Sequence, residues 1–212
     1  MHDVFVKIAK LKLVPVVKIE KAEDALALGQ ALLTGGLPLA EITFRTDAAG
    51  EVIRILSREL PDMLIGAGTV LTVDNVKQAV DAGAQFMVAP GFNPKVVDYC
   101  LANGVLVMPG VNSPTDVEMG LDRGLDVLKF FPAEASGGLK MVKALSGPYG
   151  GVKFMPTGGI TTKNLLEYLA FDRVLACGGT WMVETALISA GRFDEITRLT
   201  REAVELIAAR QS

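Results

Sequence analysis

The chain has 212 residues, half of them hydrophobic and 21% charged, with a formal net charge of −3. This composition allows a sizeable core and argues against a wholly disordered protein. The 21 basic residues are scattered and no apolar run approaches the ~20 residues of a membrane helix, so we expect neither a nucleic-acid nor a membrane partner. The N-terminus lacks the pattern of a secretory signal, so we expect a cytoplasmic protein.

Histidine and cysteine usage excludes several classes of enzyme. His2 is the only histidine, which rules out a Ser-His-Asp triad, an HExxH zinc site and other His-ligated metals. Cys100 and Cys177 form neither a CxxC pair nor a metal-ligand spacing, and their apolar surroundings indicate inert core thiols. We therefore predict no metal and no cofactor. Any acid–base chemistry must come from Lys, Glu, Asp, Tyr or a bound phosphate.

Short apolar runs recur along the chain at intervals of 19 to 26 residues. They are too short for helices and are mostly closed by Pro or Gly, as strands are. Their near-continuous apolar character favours parallel strands covered on both faces. The runs begin at Leu13, Leu39, Met63, Phe86, Val105, Val127, Val152 and Val174.

The spacers between these runs have helical periodicity. Apolar positions with helical spacing are Ala25, Leu28 and Leu32, then Val73, Val76 and Val80, and finally Phe193, Ile196, Leu199, Ala203 and Leu206. Asn93-Pro94 and Ser113-Pro114 each place a capping side chain before a proline, which predicts a helix start. Helix ends are predicted where a glycine precedes the next strand, at Gly36, Gly83, Gly104 and Gly124.

Eight such units predict an α/β fold, a (β/α)8 TIM barrel preceded by a short N-terminal helix that ends near Leu11. We expect residues 1–212 to form one barrel domain. A doubly wound open sheet is the competing architecture, but eight consecutive units without a clear break favour closure. In a barrel the chemistry lies at the carboxyl ends of the strands.

Two of the predicted strands contain a charged residue in an apolar setting. Lys129 shares parity with Val127 and Phe131, and Glu41 shares parity with Leu39, Thr43 and Arg45. A lysine with its stem along apolar surface, or a buried ion pair, would explain either charge alone. A buried pair is a weak source of stability, however.

A desolvated lysine beside a carboxylate suits Schiff-base chemistry. A free lysine amine has a pKa of ~10.4, and burial lowers such a value and exposes the lone pair for attack on a carbonyl. The resulting iminium stabilises a neighbouring carbanion, so a carbon–carbon bond can break beside it. A glutamate within reach then transfers protons. This strategy needs neither metal nor histidine.

Glycine-rich segments follow three other predicted strands. GAGTVL (66–71) places Thr69 beside small residues that would let a ligand approach backbone amides. PTGGI (156–160) and GGTW (178–181) follow the seventh and eighth runs, where barrels often bind phosphate through backbone N–H groups. None of these segments matches a P-loop or a dinucleotide fingerprint.

These residues together resemble the KHG/KDPG aldolases, where KDPG is 2-keto-3-deoxy-6-phosphogluconate. The resemblance runs from about Leu13 to the last helix. It is carried by EITFRT (41–46), GAGTVL (66–71), APG (89–91), MPGV (108–111), LKFFPAE (128–134), PTGGI (156–160) and GGTW (178–181).

The resemblance implies a role for each matching position. Lys129 matches the Schiff-base lysine, and Glu41 matches the proton-transferring glutamate, which works partly through a bound water. Other positions match residues that hold the pyruvate carboxylate (Arg45, Thr69), enclose the pyruvyl group (Pro90, Phe131), contact the aldehyde (Thr157) and bind phosphate (Gly158, Gly159, Gly178, Gly179, Thr180). Members often have serine at the position of Thr180.

The implied reaction is the reversible cleavage of KDPG to pyruvate and glyceraldehyde 3-phosphate. Cleavage of 4-hydroxy-2-oxoglutarate (KHG) to pyruvate and glyoxylate stays open as a further activity. The resemblance further favours the gluconate substrate over its galactonate epimer, because a galactonate-specific branch of the superfamily lacks the equivalents of Arg45 and Thr157. The resemblance also implies a homotrimer.

Two other functions remain open from the residues themselves. The first is another phosphate-binding barrel enzyme, a sugar-phosphate isomerase or synthase, in which Lys129 would bind only electrostatically. The second is a non-catalytic sugar-phosphate sensor with Glu41 and Lys129 as a structural pair. The convergence of Arg45, Thr69 and two glycine loops argues against the sensor, because an ion pair needs none of them.

Overall fold

The structure is a computed structural model that describes residues 2–210. Met1, Gln211 and Ser212, which belong to the predicted single domain, lie outside the described residues. The extent of that domain stays a prediction.

Short parallel strands alternate with helices along the described chain. Each strand begins within a few residues of a predicted apolar run. The strands are β1 (Leu13–Val17), β2 (Leu39–Thr43), β3 (Leu64–Gly68), β4 (Phe86–Val88), β5 (Val107–Met108), β6 (Gly110–Val111), β7 (Val127–Phe130), β8 (Lys153–Pro156) and β9 (Cys177–Gly179).

Helices precede the first strand, fill the spacers between strands except that between β5 and β6, and follow the last strand. They are α1 (Asp3–Leu11), α2 (Ala25–Thr34), α3 (Ala49–Glu59), α4 (Val73–Asp81), α5 (Pro94–Ala102), α6 (Pro114–Leu121), α7 (Gly138–Ser146), α8 (Leu165–Leu169), α9 (Thr185–Ser189) and α10 (Phe193–Ala209). Short 3₁₀ turns span Ala22–Asp24 and Glu134–Ser136. No helix within residues 2–210 is both long enough and apolar enough to cross a membrane.

The predicted helix boundaries are confirmed by their caps. The Asn93 side chain accepts a hydrogen bond from the backbone of Lys95, and Ser113 forms a capping box with Asp116. The four predicted stop glycines all have positive φ, between 65° and 97°, a conformation that favours a residue without Cβ. The predicted buried face of α4 is wrong in part. Val76 is buried, but Val80 is 43% exposed, because α4 turns Ala79 toward the core instead.

The strands form two parallel sheets. One has the order β5-β4-β3-β2-β1-β9 and the other β6-β7-β8. The fifth predicted strand is divided at Pro109, because proline has no N–H to donate to a ladder. At the other edge, isolated bridges join Phe154 to Val174 and Thr157 to Gly178. The fold is therefore α/β with parallel strands, as predicted.

The inward side of the strands is apolar near their amino ends. The residues of this cluster, called the lower layer here, come from α1, from seven strands and from the two residues that precede β9. They are Val4, Phe5, Ile8, Val14, Leu39, Leu64, Phe86, Val88, Met108, Val127, Met155, Leu175 and Ala176. Leu128 and Phe130 belong instead to the cluster that includes the helices, which confirms the predicted parity of β7. Glu41 and Lys129 follow the lower layer on the inward face of their strands.

Candidate active site

The Lys129 ammonium of β7 and the Glu41 carboxylate of β2 meet on the inward face of the strands, beyond the lower layer. Lys129 Nζ lies 3.3 Å from Glu41 Oε1, and the two side chains are 6% and 0% exposed. Nζ also lies 5.3 Å from the centroid of the Phe131 ring, within the range of a cation–π interaction. The two charges that the sequence singled out are thus one buried pair.

Glu41 fits into its place because β3 offers no side chain there. A Cβ on Gly68 would lie 2.2 Å from Glu41 Oε1. A Cβ on Gly66, two residues earlier on the same face of β3, would lie 2.2 Å from the Phe86 ring. The glycines of GAGTVL therefore make room for neighbouring side chains. That they also admit a ligand to backbone amides stays a prediction.

A cavity of about 240 Å³ opens above the pair. Every site residue predicted from the sequence lines it. These are Glu41, Arg45, Thr69, Pro90, Lys129, Phe131, Thr157, Gly158, Gly159, Gly178, Gly179 and Thr180. The cavity is also lined by Val16, Thr43 and Ile160, which sequence reasoning did not assign to the site. Val16 could have been predicted from the sequence, because it lies two residues after Val14 of the lower layer and therefore on the same face of β1.

Two buried oxygen atoms of the cavity residues lack a partner. Glu41 Oε2 and Thr157 Oγ1 are buried, and neither has a hydrogen-bond partner within residues 2–210. Gly178 makes room for the Thr157 side chain, since a Cβ there would lie 2.3 Å from Oγ1. Buried polar atoms are nearly always satisfied, so these two indicate a ligand or a solvent molecule in the functional state.

Arg45 is held by a residue that the sequence did not assign to the site. Its Nε donates to Thr43 Oγ1 at 3.0 Å, and Thr43 Oγ1 donates to the Val17 carbonyl oxygen at 2.7 Å. Within the described part of the chain, Arg45 makes no ion pair with a carboxylate. The guanidinium is thus fixed at one nitrogen and has donors available for an anion.

Thr69 stands at the end of β3 with a φ of 53°. This left-handed conformation is uncommon for a residue other than glycine and, for a β-branched residue, it costs free energy. Such strain concentrates at functional sites. The backbone therefore supports the assignment of Thr69 to the site independently of its side chain.

The two predicted phosphate loops lie on the same wall of the cavity. Gly158 and Gly159 have φ of 101° and 81°, so the turn after β8 requires glycine at both positions. Gly179 packs against the ring of Trp181, and a Cβ there would lie 2.1 Å from Cζ3. Thr180 is exposed at the cavity mouth.

The cysteines lie outside this site. Cys100 and Cys177 are buried and unbonded to each other. Burial raises the pKa of the Cys100 thiol to about 11 and raises the pKa of Cys177 as well. Across residues 2–210, no group of three or more His, Cys, Asp or Glu side chains is arranged to hold a metal ion.

Known proteins match this chain over nearly its whole length. Residues 4–199 match the family model described as KDPG and KHG aldolase. The chain is 49% identical over 207 residues to the 2-dehydro-3-deoxy-phosphogluconate aldolase of Treponema pallidum, covering 98% of this chain and 99% of that protein. The chain belongs to the KDPG and KHG aldolase family.

Solved structures of family members share the fold. The KDPG aldolase of Legionella pneumophila, solved with pyruvate captured as a covalent carbinolamine intermediate, is 38% identical with a TM-score of 0.90, over 94% of this chain and 97% of that one. The Zymomonas mobilis enzyme, solved with 3-phosphoglycerate, is 39% identical with a TM-score of 0.87, over 94% of each chain. The resemblance seen in the sequence motifs is confirmed.

Proposed function

We propose that this protein is a class I aldolase that reversibly cleaves KDPG to pyruvate and glyceraldehyde 3-phosphate. The observation that carries the proposal is the buried contact between Lys129 and Glu41 below a cavity lined by anion-binding groups. Membership of the KDPG and KHG aldolase family supports the same reaction.

Lys129 is the nucleophile in this proposal. Its Nζ attacks the C2 carbonyl of KDPG and forms a carbinolamine, which loses water to give an iminium. The ammonium must first lose a proton, and Glu41 Oε1 at 3.3 Å is within reach to accept it.

Carbon–carbon cleavage follows from the iminium. A base removes the proton of the C4 hydroxyl, the C3–C4 bond breaks, and its electron pair moves into the iminium to form an enamine. Glyceraldehyde 3-phosphate leaves. Protonation at C3 produces the methyl group, and hydrolysis of the new iminium releases pyruvate and the free lysine. We assign the proton transfers to Glu41, whose Oε2 lacks a protein partner within residues 2–210.

The remaining cavity residues bind the substrate along its length. Arg45 and Thr69 hold the pyruvate carboxylate, and Pro90 and Phe131 enclose the pyruvyl carbons. Thr157 contacts the aldehyde portion through its unpartnered hydroxyl. Gly158, Gly159, Gly178, Gly179 and Thr180 bind the phosphate through backbone N–H groups and one hydroxyl.

We extend the proposal to 4-hydroxy-2-oxoglutarate, which would give pyruvate and glyoxylate. Only the pyruvate half of that substrate resembles KDPG, and Lys129, Glu41 and Arg45 act on that half. A galactonate-specific branch of the superfamily lacks the equivalents of Arg45 and Thr157, and the presence of both in this cavity supports a preference for KDPG over its galactonate epimer.

The architecture and assembly belong to the same proposal. We propose that the two sheets close into one eight-stranded barrel domain over residues 1–212. Strand pairing in this barrel would be weakest at two places. One is the division at Pro109, and the other is where only isolated bridges join Phe154 to Val174 and Thr157 to Gly178. We also propose a homotrimer, which the family resemblance supports, and a cytoplasmic location, which the composition supports.

Trapping the covalent intermediate tests the proposal. The protein is incubated with pyruvate, reduced with borohydride, digested and analysed by mass spectrometry. We expect a single reduced adduct on Lys129. An adduct on another lysine, or none, would overturn the assignment.

Glu41→Gln separates the two catalytic roles. This variant should still form the adduct, because Lys129 is intact and can lose its proton to water, although more slowly than with Glu41 as the acceptor. Proton exchange at the pyruvate methyl should slow by roughly 10²- to 10⁴-fold. Exchange is measured by NMR in deuterated water. Unimpaired exchange would remove Glu41 from its role.

A further inference from the structure

The segment that follows β7 forms the floor beneath the Gly158–Gly159 turn. The backbone N–H of Glu134 donates to the Gly158 carbonyl oxygen at 3.0 Å. The Glu134 methylenes pack against the next residue, since a Cβ on Gly159 would lie 2.5 Å from Glu134 Cγ. Glu134 is therefore in contact with both glycines of the turn.

Tyr168 of α8 fixes the carboxylate of Glu134. Its hydroxyl donates to Glu134 Oε1, and the tyrosine residue is only 2% exposed. Burial, and secondarily this hydrogen bond, raise the pKa of Tyr168, so the phenol stays neutral and keeps the proton that it donates. Gly138 leaves space for the pair, because a Cβ there would lie 3.1 Å from Oε1 and 3.2 Å from the phenol oxygen.

The opposite side of the turn is held by Asn164. Its Nδ2 donates to the Gly159 carbonyl oxygen at 3.1 Å, and its Oδ1 accepts from the backbone of Thr161 at 2.8 Å. Both carbonyl oxygens of the two glycines are thus bonded to protein. The backbone N–H groups of Gly159 and Ile160 find no protein acceptor within residues 2–210, so they are available to an anion.

We infer that Tyr168 and Glu134 are positioning residues for the phosphate group of the substrate. Neither lines the cavity. They act through the Gly158–Gly159 turn, which without the Glu134 side chain would keep only its two carbonyl hydrogen bonds and would lose more entropy when phosphate binds. This inference rests on the proposed function, and it concerns only the phosphate end of the substrate.

Tyr168→Phe tests the inference by comparing two substrates. The phenyl ring keeps the packing, while the hydrogen bond to Glu134 is lost. We expect the KM for KDPG to rise about 3- to 10-fold, as loss of one hydrogen bond predicts, with kcat little changed. Cleavage of 4-hydroxy-2-oxoglutarate, which carries no phosphate, should stay unchanged. Equal losses on both substrates, or no loss on KDPG, would overturn the inference.

The chain offers a matched control and a conservative rescue. Tyr149 donates to Glu118 at 2.8 Å, a second Tyr–Glu hydrogen bond whose residues do not line the cavity, so Tyr149→Phe should leave both substrates unaffected. Glu134→Gln keeps the methylenes and an acceptor oxygen, whereas Glu134→Ala removes both. We expect the alanine variant to weaken KDPG binding and the glutamine variant to retain it. The reverse order would contradict a floor made by the Glu134 side chain.

Phosphate binding can be followed without turnover. Trp181 is the only tryptophan and packs on Gly179 of the other phosphate loop, so its fluorescence should respond to inorganic phosphate. We expect the dissociation constant to rise about 3- to 10-fold in Tyr168→Phe and to stay constant in Tyr149→Phe. A wild-type protein that binds phosphate in this way but cleaves neither substrate would overturn the proposed function and leave the positioning role standing. No saturable response in the wild type would overturn the positioning role.

Discussion

The inward faces of β2 and β7 differ sharply between their two ends. At the amino ends they present Leu39 and Val127 to the lower layer, which includes residues of α1. Two residues later, about 7 Å along each strand, the same faces present Glu41 and Lys129. The residues of the lower layer are buried and apolar, so they stabilise the fold. The next layer faces a cavity, where desolvated charges are available for chemistry. Stability and reactivity are thus separated by two residues of one strand.

Lys129→Met should produce the largest effect. The nucleophile is lost, so kcat/KM for KDPG should fall on the order of 10⁴-fold or more. Glu41 is then left as an unpaired buried carboxylate, which costs about 3–5 kcal/mol in the free energy of unfolding. Steady-state kinetics and urea denaturation measure the two changes.

The double variant Glu41→Leu, Lys129→Met distinguishes a role in folding from a role in chemistry. Replacement of a whole buried pair by apolar side chains is often neutral or stabilising. We expect the double variant to regain most of the lost stability and none of the activity. A double variant as unstable as the single one would show that the pair is needed for folding as well as for chemistry.

Leu39→Ala is the matched change in the lower layer. Leu39 is fully buried, so its truncation should cost about 2–5 kcal/mol in the free energy of unfolding. Turnover per folded molecule should change less than about twofold, because Leu39 does not line the cavity. A large loss of kcat at temperatures where the variant is folded would contradict the separation of the two layers.

Thr43→Val should have a smaller effect, confined to the reactive layer. The hydroxyl that accepts from Arg45 Nε is lost, so the KM for KDPG should rise about 3- to 10-fold with little change in kcat. Thr43→Ser keeps the hydroxyl and should resemble the wild type. If the serine and valine variants behave alike, Thr43 does not position Arg45.

Alkylation of the cysteine thiols in the native protein should be the smallest of these effects. Because burial raises the pKa of Cys100 to about 11, the reactive thiolate is scarce at pH 8, and its fraction grows about tenfold per pH unit below that pKa. We expect no alkylation by iodoacetamide in the native protein at pH 8 and labelling of both thiols in denaturant. Rapid native labelling would place one of them outside the core.

Much of the site was readable from single residues. A charge inside an apolar strand is rare enough to be informative, and the alternation of side chains along a strand was sufficient to place Glu41 and Lys129 on the inward face. The loop at Gly158 and Gly159 was likewise predicted from its place after a strand, whereas the positive φ of both residues came only from the structure. Thr43 was missed because a threonine in a strand is ordinary; its role depends on the Val17 carbonyl and on Arg45.

Local patterns in the chain were enough to predict the succession of strands and helices, the helix caps and the family, because these depend on periodicity, on turn residues and on motifs. Three features emerged only in three dimensions. They are the pairing of strands around Pro109, the neighbour that each glycine accommodates, and the support of the phosphate turn by Tyr168 through Glu134. Those contacts join residues that are far apart in the chain. Their existence depends on the curvature and register of the sheets, which no local pattern encodes.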